Sequence, residues 1–207
     1  KKKRKGENKL VYTFYELCWF FLIYSFAGWC AGVVANAVRN RKFVNTGFMN
    51  MPFCLSYGVC AVLCCIFLPE LRHRIFFLFI GGALLAAFVS IMTGLILEHI
   101  FHRKWWDYSK NRFQYEGYFG IWHLLIFGAA IVVTMKFANP LILQILKQIP
   151  HFIGRIILIV AYILMGIDFL GSVIAVLQLK IKLRRIMQLN ENMQKVSENV
   201  GNAITVR

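Results

Sequence analysis

Five long apolar runs decide most of what this chain can fold into. They cover Glu16 to Val38, Pro52 to Leu68, Phe76 to Ile100, Phe119 to Phe137 and Ile153 to Gln178. Each reaches the roughly 17 to 25 residues that a helix needs to cross the hydrocarbon core of a bilayer. Backbone groups in lipid must hydrogen-bond within the protein, so such runs fold as helices. The chain is 59% hydrophobic, above the roughly 45 to 50% apolar content usual for a soluble domain. The expected fold is therefore all-α: a polytopic transmembrane helix bundle of about five spans. Residues 1 to 15 read as a basic N-terminal tail, 16 to 178 as the transmembrane domain, and 179 to 207 as an amphipathic, coiled-coil-like C-terminal tail, cytoplasmic or interfacial. The stretch "ANPLILQILKQIPH", bounded by Pro140 and Pro150, reads as a connection carrying a short interfacial helix.

Pro52 to Leu68 sits at the minimum spanning length, so four spans plus a re-entrant segment is the alternative. With five spans, eleven Lys and Arg lie on one side and thirteen on the other, which fixes no orientation under the positive-inside rule. With four, sixteen face eight. Length favours five and charge favours four. The opening "KKKRKGENK" has neither a methionine nor a cleavable signal form, and more sequence is expected before it.

The net charge of +15 is placed between and beyond the apolar runs, which favours anionic lipid head groups over nucleic acid as the partner. All six cysteines lie inside apolar runs without a CxxC or secreted-disulfide spacing, so they read as free thiols packed like small apolar side chains. No GxxxxGK[ST] or GxSxG motif occurs, so an ATP-driven activity would need a separate ATPase subunit. His99 and His102 with Glu98 have no compelling third ligand, and neither a metal nor another cofactor is expected. An enzyme is the weaker expectation.

The most unusual loop is "HRKWWDYSKNRF", which sets adjacent tryptophans among basic residues and so suits a water-lipid interface. Five spans place this loop, the first connection and the C-terminal tail on one side. Arg41, Lys42, Asn45, Asn50, Arg103, Lys104, Trp105, Trp106, Asp107 and Tyr108 then form a candidate vestibule for a head group or an anionic solute. Its bland alternative is an aromatic belt with snorkelling charges. In "NTGFMNMPF", Gly47, the two asparagines and Pro52 read as a tight re-entry turn in which Pro52 starts the next helix.

Intramembrane polar candidates are Glu98, His123 and Asp168. Asp168 lies mid-run in "IVAYILMGIDFLGSVIAVL", where a carboxylate is costly unless paired, protonated or hydrated. In the tail, Leu179, Leu183, Ile186, Leu189, Met193, Val196 and Val200 recur at near-heptad spacing. This seam suits a partner helix, a second copy, or the lipid surface.

Three blocks, "FFLIYSFAGWCAGVV", "RKFVNTGFMNMPFCLSYG" and "LILEHIFHRKWWDYS", resemble the bacterial membrane proteins of the putative ABC-transporter type IV family. The likeness covers residues 16 to 137. Members typically carry an acid soon after the Gly-Trp pair, where this chain has Gly32. They have Gly-Pro where it has Met51-Pro52, and Gly-Arg-Ile where it has Gly117-Tyr118-Phe119. The resemblance implies a multi-pass bacterial plasma-membrane protein, the permease half of a transporter, and identifies no substrate. The leading expectation is a permease-like protein that moves or binds a small solute or lipid. Its rival is a non-transporting subunit, scaffold or oligomeric channel that recruits a partner through the tail.

Overall fold

The computed structural model describes residues 12–41, 47–101, 114–115 and 119–205. Helix α1 (Phe14–Asn40) opens with a reciprocal cap: the Thr13 amide donates to the Glu16 carboxylate at 2.7 Å and the Glu16 amide to the Thr13 hydroxyl at 3.4 Å. These bonds occupy donors that every helix start leaves open. The helix ends at Arg41, whose left-handed backbone (φ 50°) lets its N–H reach the Ala37 carbonyl.

Helix α2 (Leu55–Phe67) follows, then a 3-10 turn (Pro69–His73), α3 (Ile75–Phe101), and a minimal hairpin pairing β1 (Gln114–Tyr115) with β2 (Phe119–Gly120). α4 (Ile121–Val133), a π-helical turn (Thr134–Ala138) and α5 (Asn139–Gln148) form one uninterrupted helix. α6 (His151–Thr205) carries the last apolar run directly into the tail without a break.

Four helical stretches, Phe14–Val38, Ile75–Ile100, Ile121–Gln148 and His151–Ser197, are long and apolar enough to cross a membrane. The protein is a multi-pass membrane protein. Large apolar side chains such as Phe76, Phe88, Ile126, Phe152 and Leu170 are exposed along these helices, as lipid rather than water would require.

Two expectations need correction. Residues 139–148 do not form a separate interfacial helix after a connection. Pro140 lacks the N–H that would continue the regular ladder, and a π turn absorbs that loss, with the Asn139 amide reaching back to the Thr134 carbonyl. Nor does Pro52 start a helix: α2 opens at Leu55 with Cys54 as its cap residue, and Pro52 stays in the segment that precedes it.

Close helix packing rests on missing side chains. A Cβ on Gly28 would meet the Tyr57 ring, and one on Gly58 would overlap the Ser25 hydroxyl and lie 2.7 Å from the Phe21 carbonyl, so α1 and α2 touch backbone to backbone. Gly82 receives the Ile131 side chain and Gly128 the Phe79 ring, which draws α3 and α4 together. Lipid provides no hydrophobic drive between helices, so such small residues let dispersion hold them together. One core gathers Phe20, Cys64, Leu78, Ile131 and Met135; a second gathers Leu22, Met49, Leu158 and Met165 between α1, α6 and the segment before α2.

Candidate functional site at a broken crossing

Contacts along α1 place the chain between Arg41 and Leu68. Cys54 donates its amide to the Ser25 carbonyl at 2.9 Å, and Ser25 lies near the middle of α1. Cys65 and Leu68 share a cluster with Tyr12 and Phe20, at the start of α1. Thus α2 runs antiparallel to only the first half of α1. Its 13 residues span about 20 Å, short of the roughly 30 Å hydrocarbon core. Before it, residues 47–54 are non-helical. The chain therefore reaches Leu68 as a broken element, irregular over residues 47–54 and helical over Leu55–Phe67.

Non-helical backbone at membrane depth survives only where protein or water receives its polar groups. Here α6 receives them. Tyr15 packs on His151 with ring centroids 5.1 Å apart, and Tyr162 stacks on Phe21 and donates its hydroxyl to the Cys18 carbonyl. α1 and α6 are therefore parallel neighbours. One step further along, the Met51 amide donates to the Asp168 carboxylate at 2.9 Å, and the Asn50 side-chain amide donates to the Ser172 hydroxyl at 3.4 Å. Asp168 and Ser172 are one helical turn apart and so share a face. Asp168 is half-buried, Ser172 buried, and Asn50 exposed. Among the described residues no cation pairs with Asp168.

The structure thus joins two residues singled out separately, Asn50 and Asp168. Arg41 caps α1, exposed, at the end of the molecule toward which the broken segment rises. Glu98 and His99 lie in the last turn of α3, and His123 is half-buried in the first turn of α4, its ring 6.5 Å from that of Phe127. None of these three makes a hydrogen bond to Asp168. Lys42, Asn45, Arg103, Lys104, Trp105, Trp106, Asp107 and Tyr108 fall outside the described residues. In the tail, Leu179, Leu183, Ile186, Leu189, Met193 and Val196 are exposed along α6; Val200 lies within the helix.

A second polar centre escaped the sequence reading. Asn139 is wholly buried where the π turn ends. Its carbonyl oxygen accepts from the Tyr24 hydroxyl at 2.6 Å, and its amide faces the Tyr12 hydroxyl (3.3 Å), the Cys65 sulfur (3.3 Å) and the Met135 sulfur (3.4 Å). One amide thereby ties α1, α2 and the α4–α5 helix. The available signal was an asparagine directly before a proline inside an otherwise apolar stretch.

The family model described as "Putative ABC-transporter type IV" matches residues 19–173. The chain belongs to that family. Comparison with curated proteins and with solved structures gives no match. The matched region contains both polar centres apart from Tyr12 and excludes the exposed tail beyond Gln178.

The geometry gives the shared blocks a physical meaning. The first contributes Ser25 and Gly28; the second contributes Met51, Cys54, Tyr57 and Gly58. Gly28 receives the Tyr57 ring, Gly58 approaches Ser25, and the Cys54 amide reaches the Ser25 carbonyl. Both blocks build the α1–α2 contact that carries the broken crossing. Met51, in the second block, donates its amide to Asp168. That bond uses only the backbone N–H, so any residue except proline at position 51 keeps the donor.

Proposed function

We propose that this chain is a permease-like membrane subunit in which a small solute or lipid is held or passed along the irregular half of the second crossing. The observation that carries the reading is the Met51 amide donating to Asp168. It brings a mid-run carboxylate and irregular backbone together at one depth. Discontinuous crossings of this kind place transporter binding sites near the bilayer midplane. Exposed Asn50 adds a polar group to the same path. Entry is at the Arg41 end, and by sequence the Arg103 to Tyr108 loop and the first connection supply cationic and aromatic groups for a head group or anion. The setting is the bacterial plasma membrane with its anionic lipids, and energy comes from a separate ATPase subunit docked on a loop or on the tail.

Purification in native lipid discs followed by mass spectrometry tests this reading. The expected result is a stoichiometric ATPase chain, or a bound small molecule that Asp168→Asn loses. A second reading, a scaffold or oligomeric channel assembled through the tail, draws support from the exposed seam Leu179 to Val196 on an unbroken α6. Self-assembly with neither ATPase nor ligand, abolished by polar residues at Ile186, Leu189 and Met193, would favour it and contradict the permease.

A further inference from the structure

We propose that the part of α6 beyond the membrane pairs with the same segment of a second copy of this chain, as a parallel two-stranded coiled coil over Ile186 to Ala203. The proposal stands apart from the solute path. It goes beyond a general recruiting role for the tail by naming the occupant, the direction and the number of strands.

The first observation is continuity. Leu158, Met165, Ser172, Leu179, Ile186 and Met193 follow one another along α6 at intervals of seven residues. The first three are buried, Leu158 and Met165 in the core shared with α1 and Ser172 beneath the Asn50 amide. Leu179, Ile186 and Met193 are instead 56%, 61% and 73% exposed. A straight helix drifts by about 20° per heptad from such a repeat, so a line held at seven residues belongs to a helix that wraps around a neighbour. Inside the bundle that neighbour is α1, which ends at Arg41. From Leu179 to Ser197 every described side chain is exposed, so the same line runs on uncovered.

The second observation is direction. α6 contains no glycine or proline between Ser172 and Val200 and continues unbroken to Thr205. Sharp bends occur at such residues or at π-bulges, so the tail follows the course of the span. At 1.5 Å per residue it carries the seam about 40 Å into water, away from the lipid surface. Two copies inserted alike present their tails on one side of the membrane, and they meet in parallel.

The third is the residue pattern. With Ile186 as position a, the a positions hold Ile186, Met193 and Val200 and the d positions Leu189, Val196 and Ala203, all apolar. β-branched residues at a with leucine at d favour two strands. The flanking residues that face each other across a parallel pair are Arg185 with Asn190 and Asn192 with Ser197, so like charges do not meet. Charged flanks direct a coiled coil to a foreign helix. Here the charged residues from Ile186 to Ala203 are Glu191, Lys195 and Glu198, at outer positions of the repeat. An apolar seam with uncharged flanks fits its own copy. The basic group from Lys180 to Arg185 precedes the seam, at the level of the head groups, where anionic lipid offsets its charge.

The test uses the full chain in membrane vesicles, with single cysteines in the exposed tail, mild oxidation, and disulfides mapped peptide by peptide. Ile186→Cys, Leu189→Cys, Met193→Cys and Val196→Cys should each join to the same position in a second copy. Glu191→Cys and Lys195→Cys should do so at least about tenfold less, because outer positions face water. Independently, native mass spectrometry of the wild-type chain should count two copies, and the double variant Leu189→Asp with Val196→Asp one. Equal crosslinking at seam and outer positions overturns the proposal. So does a wild-type chain found as a single copy, a pair that survives the double variant, or a foreign chain crosslinked to the seam in place of a second copy.

Discussion

Replacing Asn139 by leucine, alone and together with Tyr24→Phe, isolates the bond that fastens the fourth crossing to the first. The side chain is fully buried and the Tyr24–Asn139 distance is 2.6 Å. Tyr24→Phe alone removes one donor and should cost about 1 kcal/mol. Asn139→Leu strands the Tyr24 hydroxyl and the other groups facing the amide. Orphaned buried polar groups cost about 1 to 3 kcal/mol, so the leucine variant should lose at least about 2 kcal/mol. Interhelical polar pairs in membranes couple by about 0.6 kcal/mol on average and at most about 1.7. Complete burial and the short distance place this pair in the upper part, at roughly 1 to 1.7 kcal/mol. A double-mutant cycle of unfolding in mixed detergent micelles reads the coupling directly. Strictly additive losses, with coupling below about 0.3 kcal/mol, would refute the reasoning.

Further expectations concern packing, the carboxylate and the tail. Gly58→Ala places a methyl against the Phe21 carbonyl, a backbone group that cannot swing aside, and should destabilise the protein by about 1 to 3 kcal/mol; a thermal midpoint unchanged from wild type would contradict the close α1–α2 contact. Asp168→Leu should lower thermal stability more than Asp168→Asn, because only asparagine still accepts the Met51 amide; equal midpoints would argue against that bond. Under the scaffold reading, polar residues at Ile186, Leu189 and Met193 should abolish tail-dependent crosslinked species in membranes, and unchanged species would exclude the seam as a joint.

The apolar runs foretold most of the helices because lipid demands that apolar stretches be long and continuous: α1 to α4 and the first half of α6 fall on one, while α5 and the tail of α6 do not. Their interruptions were less legible. Pro140 looked like an end to the fourth run, yet the π turn carries the helix through, an outcome set by Asn139 bonding inside the bundle rather than by local propensity. Asp168 stood out by its cost in an apolar run. Its partner did not, because every residue except proline carries the same backbone N–H and nothing in the letter M at position 51 marks a donor aimed at α6. Asn139 was passed over since it fell in a presumed connection, and Tyr24 and Cys65 resemble ordinary apolar packing until the three helices meet.

The most direct test of the broken crossing is the reactivity of a thiol at position 50. Asn50→Cys in sealed proteoliposomes would be treated with a membrane-impermeant maleimide, and modification read peptide by peptide so that the six native cysteines do not interfere. The account expects reaction from one side of the membrane only, with the buried Cys64 and Cys65 unmodified as the internal reference. A position 50 thiol as inert as Cys64 from both sides would place residues 47–54 in a sealed interior, and the polar path to Asp168 would not exist.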